Sequence, residues 1–130
     1  MEQSAEFSKA CALRGARVLI VEDDLLLLME LRSIVLEAGA EIAGCCRSVR
    51  EGLAAADDRV AVAILDVRVG RETIAPLARR LASRGTPFVF YTGQVSNDPE
   101  LAEWPGYTVL SKPARPGAII AALADSLGLS

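Results

Sequence analysis

A chain of 130 residues and 13.8 kDa has room for one domain around one hydrophobic core. Its apolar share of 52% can fill that core, and its 24% of charged residues is ordinary for a soluble protein. A net charge of −3 and an isoelectric point near 5.0 exclude a basic nucleic-acid surface, and no apolar run approaches the roughly 20 residues of a membrane span.

Three cysteines, two of them adjacent at Cys45 and Cys46, form neither a disulfide framework nor a zinc pattern and are expected to be reduced, buried thiols of a cytoplasmic protein. Residues 1–15 contain Glu2, Glu6 and Lys9, unlike a secretory leader, and are expected to form a flexible tail ahead of a domain over 16–130. Arg17 to Glu22 (RVLIVE) is apolar and β-branched and reads as a buried strand. It runs into three consecutive carboxylates, Glu22, Asp23 and Asp24. From Asp24 to Ala38, Leu27, Leu31, Ile34 and Ala38 share one face at helical spacing, and Gly39 supplies the stop. Leu26 falls on the other face with Glu30, Ser33 and Glu37, beside Leu25 and Met29, a patch suited to a partner or to self-association.

Glu41 to Cys46 is a short strand, and Ser48 caps a helix reaching about Asp57. Val60 to Asp66 (VAVAILD) is another apolar run ending in a carboxylate. Glu72 to Ser83 is helical, stopped by Gly85. Pro87 to Thr92 (PFVFYT) and Tyr107 to Ser111 (YTVLS) are strands. The stretch between them, Gly93 to Gly106, holds Pro99 and Pro105, and Asp98-Pro99-Glu100 can cap and start one or two turns. Pro116 to Leu127 is a last helix with proline in its first turn.

Strands and helices alternate five times, with the fourth helix short or absent. This predicts an α/β fold, a doubly wound, five-stranded parallel sheet with helices on both faces. Continuous apolar strands agree with burial on both sides, and function in such sheets sits at the carboxyl ends of the strands. Those ends carry Glu22 and Asp23, Asp66, Thr92, and Lys112. Clustered carboxylates repel unless a cation joins them, and so few hard oxygen ligands suit Mg²⁺, which keeps waters and often binds together with phosphate. A lysine and a threonine hydroxyl at the same edge can meet phosphate oxygens. Asp24, beyond the acidic pair, is assigned to the helix start.

VLIVEDD, ILDV, FYTG and LSKP, in this order, resemble the signature of the response-regulator receiver domain over roughly Arg17 to Leu127. The resemblance implies a flavodoxin-like (βα)5 fold with strand order 2-1-3-4-5. It implies Asp66 as phosphoacceptor from the phosphohistidine of a histidine kinase or phosphotransfer protein, with Thr92 and Lys112 holding phosphoryl oxygens. It implies Mg²⁺ on Asp23, Asp66 and the Arg68 backbone carbonyl, with Glu22 acting through a water. Pro113 is consistent with the family's cis Lys-Pro bond. The chain would phosphorylate and dephosphorylate itself without being a conventional enzyme. It would act as a monomer or weak homodimer, contacting no nucleic acid or membrane. With no output domain after the last helix, it would signal by contact or serve as a relay or sink for phosphate.

Two departures qualify this. The aromatic residue usual three positions before the lysine is Val109 here, while Tyr107 shares its parity one pleat away. Phe90-Tyr91-Thr92-Gly93-Gln94-Val95 partly resembles an atypical subclass with a Phe-Ala-Thr-Gly-apolar-Tyr motif, Tyr91 standing in place of its alanine. A pseudo-receiver that only binds partners is the alternative. Arg68 either reaches Glu22 when metal is absent or points to solvent.

Overall fold

The computed structural model describes residues 11–93 and 98–129. Five strands, β1 (Arg17–Val21), β2 (Glu41–Cys46), β3 (Val62–Leu65), β6 (Phe88–Thr92) and β7 (Val109–Ser111), form one parallel sheet in the order β2-β1-β3-β6-β7. Two short strands, β4 (Arg68–Val69) and β5 (Glu72–Thr73), pair antiparallel beside it. Counting the large sheet alone, this is the expected 2-1-3-4-5 order. The helices are α1 (Leu25–Glu37), α2 (Val49–Ala55), α3 (Ala75–Ser83) and α4 (Pro116–Ser126), with a 3₁₀ turn over Pro99–Glu103 where a fourth helix would otherwise lie.

Side chains on successive strand residues point to opposite faces, so the apolar strands feed two cores. Val18, Ile20, Val62, Ile64, Val89 and Tyr91 pack under α1 and α4. Leu19, Val21, Ala63, Leu65, Phe88 and Phe90 pack under α2 and α3. Each large side chain fully buried in this way contributes about 1.5–3 kcal/mol relative to exposure.

Two glycines are needed where they stand. Gly39, just past α1, has φ 90°, a conformation that side chains rarely adopt. Gly52, inside α2, lets that helix lie close over β1 and α3: a Cβ there would be 2.7 Å from Leu77 Cδ2 and 3.1 Å from Val21 Cγ2.

The helix stripe and some boundaries differ from the sequence reading. Of the expected α1 face, Leu31, Ile34 and Ala38 are buried and Leu27 is half-buried; Leu28 and Val35 are buried as well, so the face against the sheet is wider than the spacing implied. Leu26 is 82% exposed, with Leu25 and Met29 beside it also exposed. Glu72 and Thr73 belong to the small hairpin, and α3 begins only at Ala75, next to Pro76. β7 begins at Val109, so Tyr107 lies outside it. Of the cysteines, Cys46 is buried while Cys11 and Cys45 are half-buried, and all three are free. Of the segment expected as a tail, 1–10 lies outside the described residues. Residues 11–15 form turns that seat Leu13 in the core, its N–H donating to the Ala38 carbonyl at 2.9 Å. Among the described residues, no helix is long and apolar enough to cross a membrane.

Candidate phosphoacceptor site

Strand register assembles the site. Val21 pairs with Leu65 across β1 and β3, so the residues that follow, Glu22 and Asp66, leave the sheet side by side. Their backbones remain tied to it: the Asp66 N–H donates to the Val21 carbonyl and the Glu22 N–H to the Cys46 carbonyl, both at 2.9 Å. Across the sheet Thr92 is the partner of Ser111, and the Lys112 N–H donates to the Thr92 carbonyl at 2.9 Å. Glu22, Asp23, Asp66, Thr92 and Lys112 thus share the carboxyl edge to which the sequence assigned them.

Carboxylate oxygens of Glu22, Asp23 and Asp66 lie within 4.8 Å of one another. The Lys112 ammonium sits 2.6 Å from Glu22 Oε1 and 2.9 Å from Asp66 Oδ2. It donates a well-formed hydrogen bond to Asp66. Glu22 Oε1, for all its closeness to the ammonium, is buried without hydrogen-bonding geometry. The other Glu22 oxygen accepts the Asp24 N–H at 3.1 Å.

The electrostatics follow from burial. Loss of solvent, reinforced by the Asp66 charge, raises the Glu22 carboxyl to about 7, against the opposing pull of Lys112 and the Asp24 N–H. Burial disfavours the Lys112 ammonium, but Glu22 and Asp66 outweigh it and raise its pKa. Asp23 goes the other way. Its partial burial is outweighed by the Gly70 N–H and by Glu22, which hold it below the usual carboxylate range. Three close carboxylates with a single ammonium are short of positive charge, and hard oxygen donors of this kind fit a small dication.

The surrounding residues separate structural roles from candidate chemical ones. Asp24 caps α1, accepting the Leu27 N–H at 3.1 Å. Thr92 is buried at the end of β6, and a Cβ at Gly93 would meet nothing within 4 Å. The Lys112–Pro113 peptide is cis. Asp98 caps the 3₁₀ turn through the Glu100 N–H at 3.0 Å. Val109 is half-buried, and Tyr107 stacks on Phe88 on that same side of the sheet, with centroids 4.7 Å apart.

Arg68 takes neither of the two places open to it in the sequence. Its Nε and Nη2 both donate to the Asp98 carboxylate at 3.0 Å. Lys112 already holds Glu22, and Asp98, almost wholly buried as a cap, presents both oxygens to the guanidinium.

Sequence reasoning missed four further contacts. The Gly70 N–H donates to Asp23 Oδ2 at 2.9 Å, and Arg47 donates twice to the Asp23 carbonyl at 3.2 and 3.1 Å. Arg79 grips Glu103 with two hydrogen bonds of 2.8 Å. The Tyr91 hydroxyl accepts the Ala114 N–H at 3.1 Å. The one available signal was Tyr91 standing where the subclass motif has alanine, since a buried tyrosine must place its hydroxyl.

No protein-family model matches the sequence, and no curated protein matches it. Among solved structures, the chain is 36% identical to SdrG from Sphingomonas melonis Fr1, over 89% of this chain and 98% of that one, with a TM-score of 0.74. It is similar in fold to a CheY-like response regulator receiver domain protein from Methanospirillum hungatei JF-1, at 21% identity over 88% of this chain and 94% of that one, TM-score 0.77. It is also similar to the response regulator PhyR from Brucella abortus, at 23% identity over 93% of this chain and 51% of that one, TM-score 0.75, and so spans about half the length of that protein. A relative at 36% identity over nearly its full length, in a fold shared with receiver domains end to end, makes this chain a member of the response-regulator receiver family.

Proposed function

We propose that Asp66 accepts a phosphoryl group from the phosphohistidine of a partner kinase or phosphotransfer protein. The product then signals through altered protein contacts or acts as a relay or sink for phosphate. The observation that carries this reading is the Lys112 ammonium 2.9 Å from Asp66 Oδ2, with Glu22 and Asp23 alongside.

In the transfer, an Asp66 carboxylate oxygen attacks phosphorus. An O–P bond forms, the P–N bond to the donor histidine breaks, and the imidazole leaves with the electron pair and takes up a proton. Lys112 turns from a carboxylate partner into a partner for a phosphoryl oxygen, and the Thr92 hydroxyl donates to another. Asp23, Asp66 and the Arg68 carbonyl would hold Mg²⁺, with Glu22 acting through a water; the three carboxylates within 4.8 Å of one another support that set. Bound there, Mg²⁺ would neutralise charge that otherwise accumulates on the transferring group. The partial match at Phe90-Tyr91-Thr92-Gly93 supports a place near the atypical subclass, and in this reading the chain meets its phosphoryl donor, a histidine kinase or a phosphotransfer protein, in the cytoplasm.

Intact-mass measurement after acetyl phosphate and Mg²⁺ tests it. The wild type gains about 80 Da, one phosphoryl group, and Asp66→Asn gains nothing. A wild type that gains no mass under these conditions is a protein-interaction module instead.

A further inference from the structure

We propose that Tyr91 is a positioning residue that holds the Lys112 ammonium against Asp66. Tyr91 lies on β6, buried in the core beneath α1 and α4. Its hydroxyl is needed on the far side, where the chain leaves β7. On the N-terminal side, Lys112 is anchored through its own N–H to the Thr92 carbonyl at 2.9 Å. The next residue, Pro113, has no N–H to give. Ala114 therefore carries the first backbone donor beyond Lys112, and it goes to the Tyr91 hydroxyl at 3.1 Å. Two consecutive residues of β6 thus pin the chain on either side of this lysine.

The same ring acts on the side chain. The ammonium lies 5.6 Å from the Tyr91 ring centroid, within the range in which an aromatic face attracts a cation. A lysine stem is flexible and its ammonium has no fixed direction of its own. Fixing the backbone on both sides and offering a ring face below leaves the ammonium between Glu22 and Asp66.

The consequence for phosphoryl transfer rests on the function proposed above, so the test has one arm that is independent of it. The chain contains two lysines, Lys9 and Lys112, so acylation of Lys112 by an N-hydroxysuccinimide ester can be read by peptide mass. In metal-free protein, Tyr91→Phe speeds that acylation roughly fivefold, the loss expected for one buried hydrogen bond. With acetyl phosphate, the same variant slows phosphorylation by a similar factor, with Mg²⁺ affinity unchanged. An unaltered acylation rate overturns the inference. So does a Mg²⁺ affinity that falls in step with the phosphorylation rate, because that marks a general loosening of the site. Faster acylation in a protein whose wild type takes up no phosphate supports the role of Tyr91 and refutes the phosphoacceptor function.

Discussion

At the carboxyl ends of β1 and β3, Lys112, 18% exposed, sits between Glu22 at 2% and Asp66 at 10%. At the 3₁₀ turn, Arg68 and Arg79 reach Asp98 and Glu103 with 53% and 60% of their own side chains in solvent. The arginine pairs have the better geometry, two parallel hydrogen bonds each. Solvent screens the Arg79–Glu103 pair, exposed on both sides, so its good geometry brings little stability, whereas Asp98, at 4% exposure, shields the Arg68 pair in part. The lysine cluster is poorer in geometry and richer in consequence, because removing one member of a buried set leaves its partners without compensation. Strong electrostatics are thus concentrated where a phosphoryl group would arrive. The 3₁₀ turn, by contrast, is fastened on its Glu103 side by a pair that costs little to break.

The comparison is tested hardest by Lys112→Met. In the absence of metal near pH 8, it should destabilise the fold by roughly 3 kcal/mol, as breaking a buried pair does, and Mg²⁺ should restore much of that in urea denaturation. A cost no larger than that of the arginine variants would erase the distinction between the two regions.

A smaller effect is expected from pH. The folded-state pKa of Glu22 is raised from 4.5 to about 7, so the stability linked to its proton is fully present below about 4.5 and is lost as pH rises through about 7. Lys112 is raised above 10.5 and stays charged throughout that window. The metal-free wild type should lose about 2–3 kcal/mol across it, each tenfold in proton affinity being worth about 1.4 kcal/mol. Glu22→Gln should be flat over the same range, and a parallel decline in both proteins would assign the dependence to another group.

The least effect belongs to the arginine pairs, and it is graded. Asp98→Ala removes both a cap and a bidentate partner and should cost roughly 1 kcal/mol. Arg79→Ala should leave the melting temperature unchanged while quickening amide exchange over residues 98–106. A larger loss for Arg79→Ala than for Asp98→Ala would reverse the order of the two clamps.

What could be read from the sequence divides along similar lines. Each strand end is a short contiguous run whose chemistry is local, so the order of elements and the convergence of Glu22, Asp23, Asp66, Thr92 and Lys112 at one edge were legible. The arginine clamps were not, since Arg68 meets Asp98 across 30 residues and Arg79 meets Glu103 across 24. Only the folded chain shows that Lys112 has already taken Glu22 and that Asp98 is free to receive Arg68. The α1 stripe was legible at Leu31, Ile34 and Ala38, but Leu28 and Val35 were missed, because spacing marks the line of a buried face while the sheet beneath it sets the width. Pro76 hinted that a helix begins near it, but nothing local marked Glu72 and Thr73 as half of a hairpin.

Trp104, the single tryptophan of the chain, immediately follows the residue that Arg79 grips. It lies edge-on to Phe88 at 5.5 Å and to Tyr107 at 5.4 Å, half in the core and half in water. An indole so placed is an optical gauge built into the protein. Its emission depends on how the 3₁₀ turn packs on the aromatic cluster, so a change on adding beryllofluoride and Mg²⁺ to an unlabelled sample would couple that turn to the proposed phosphoacceptor site, and a constant emission would separate the two.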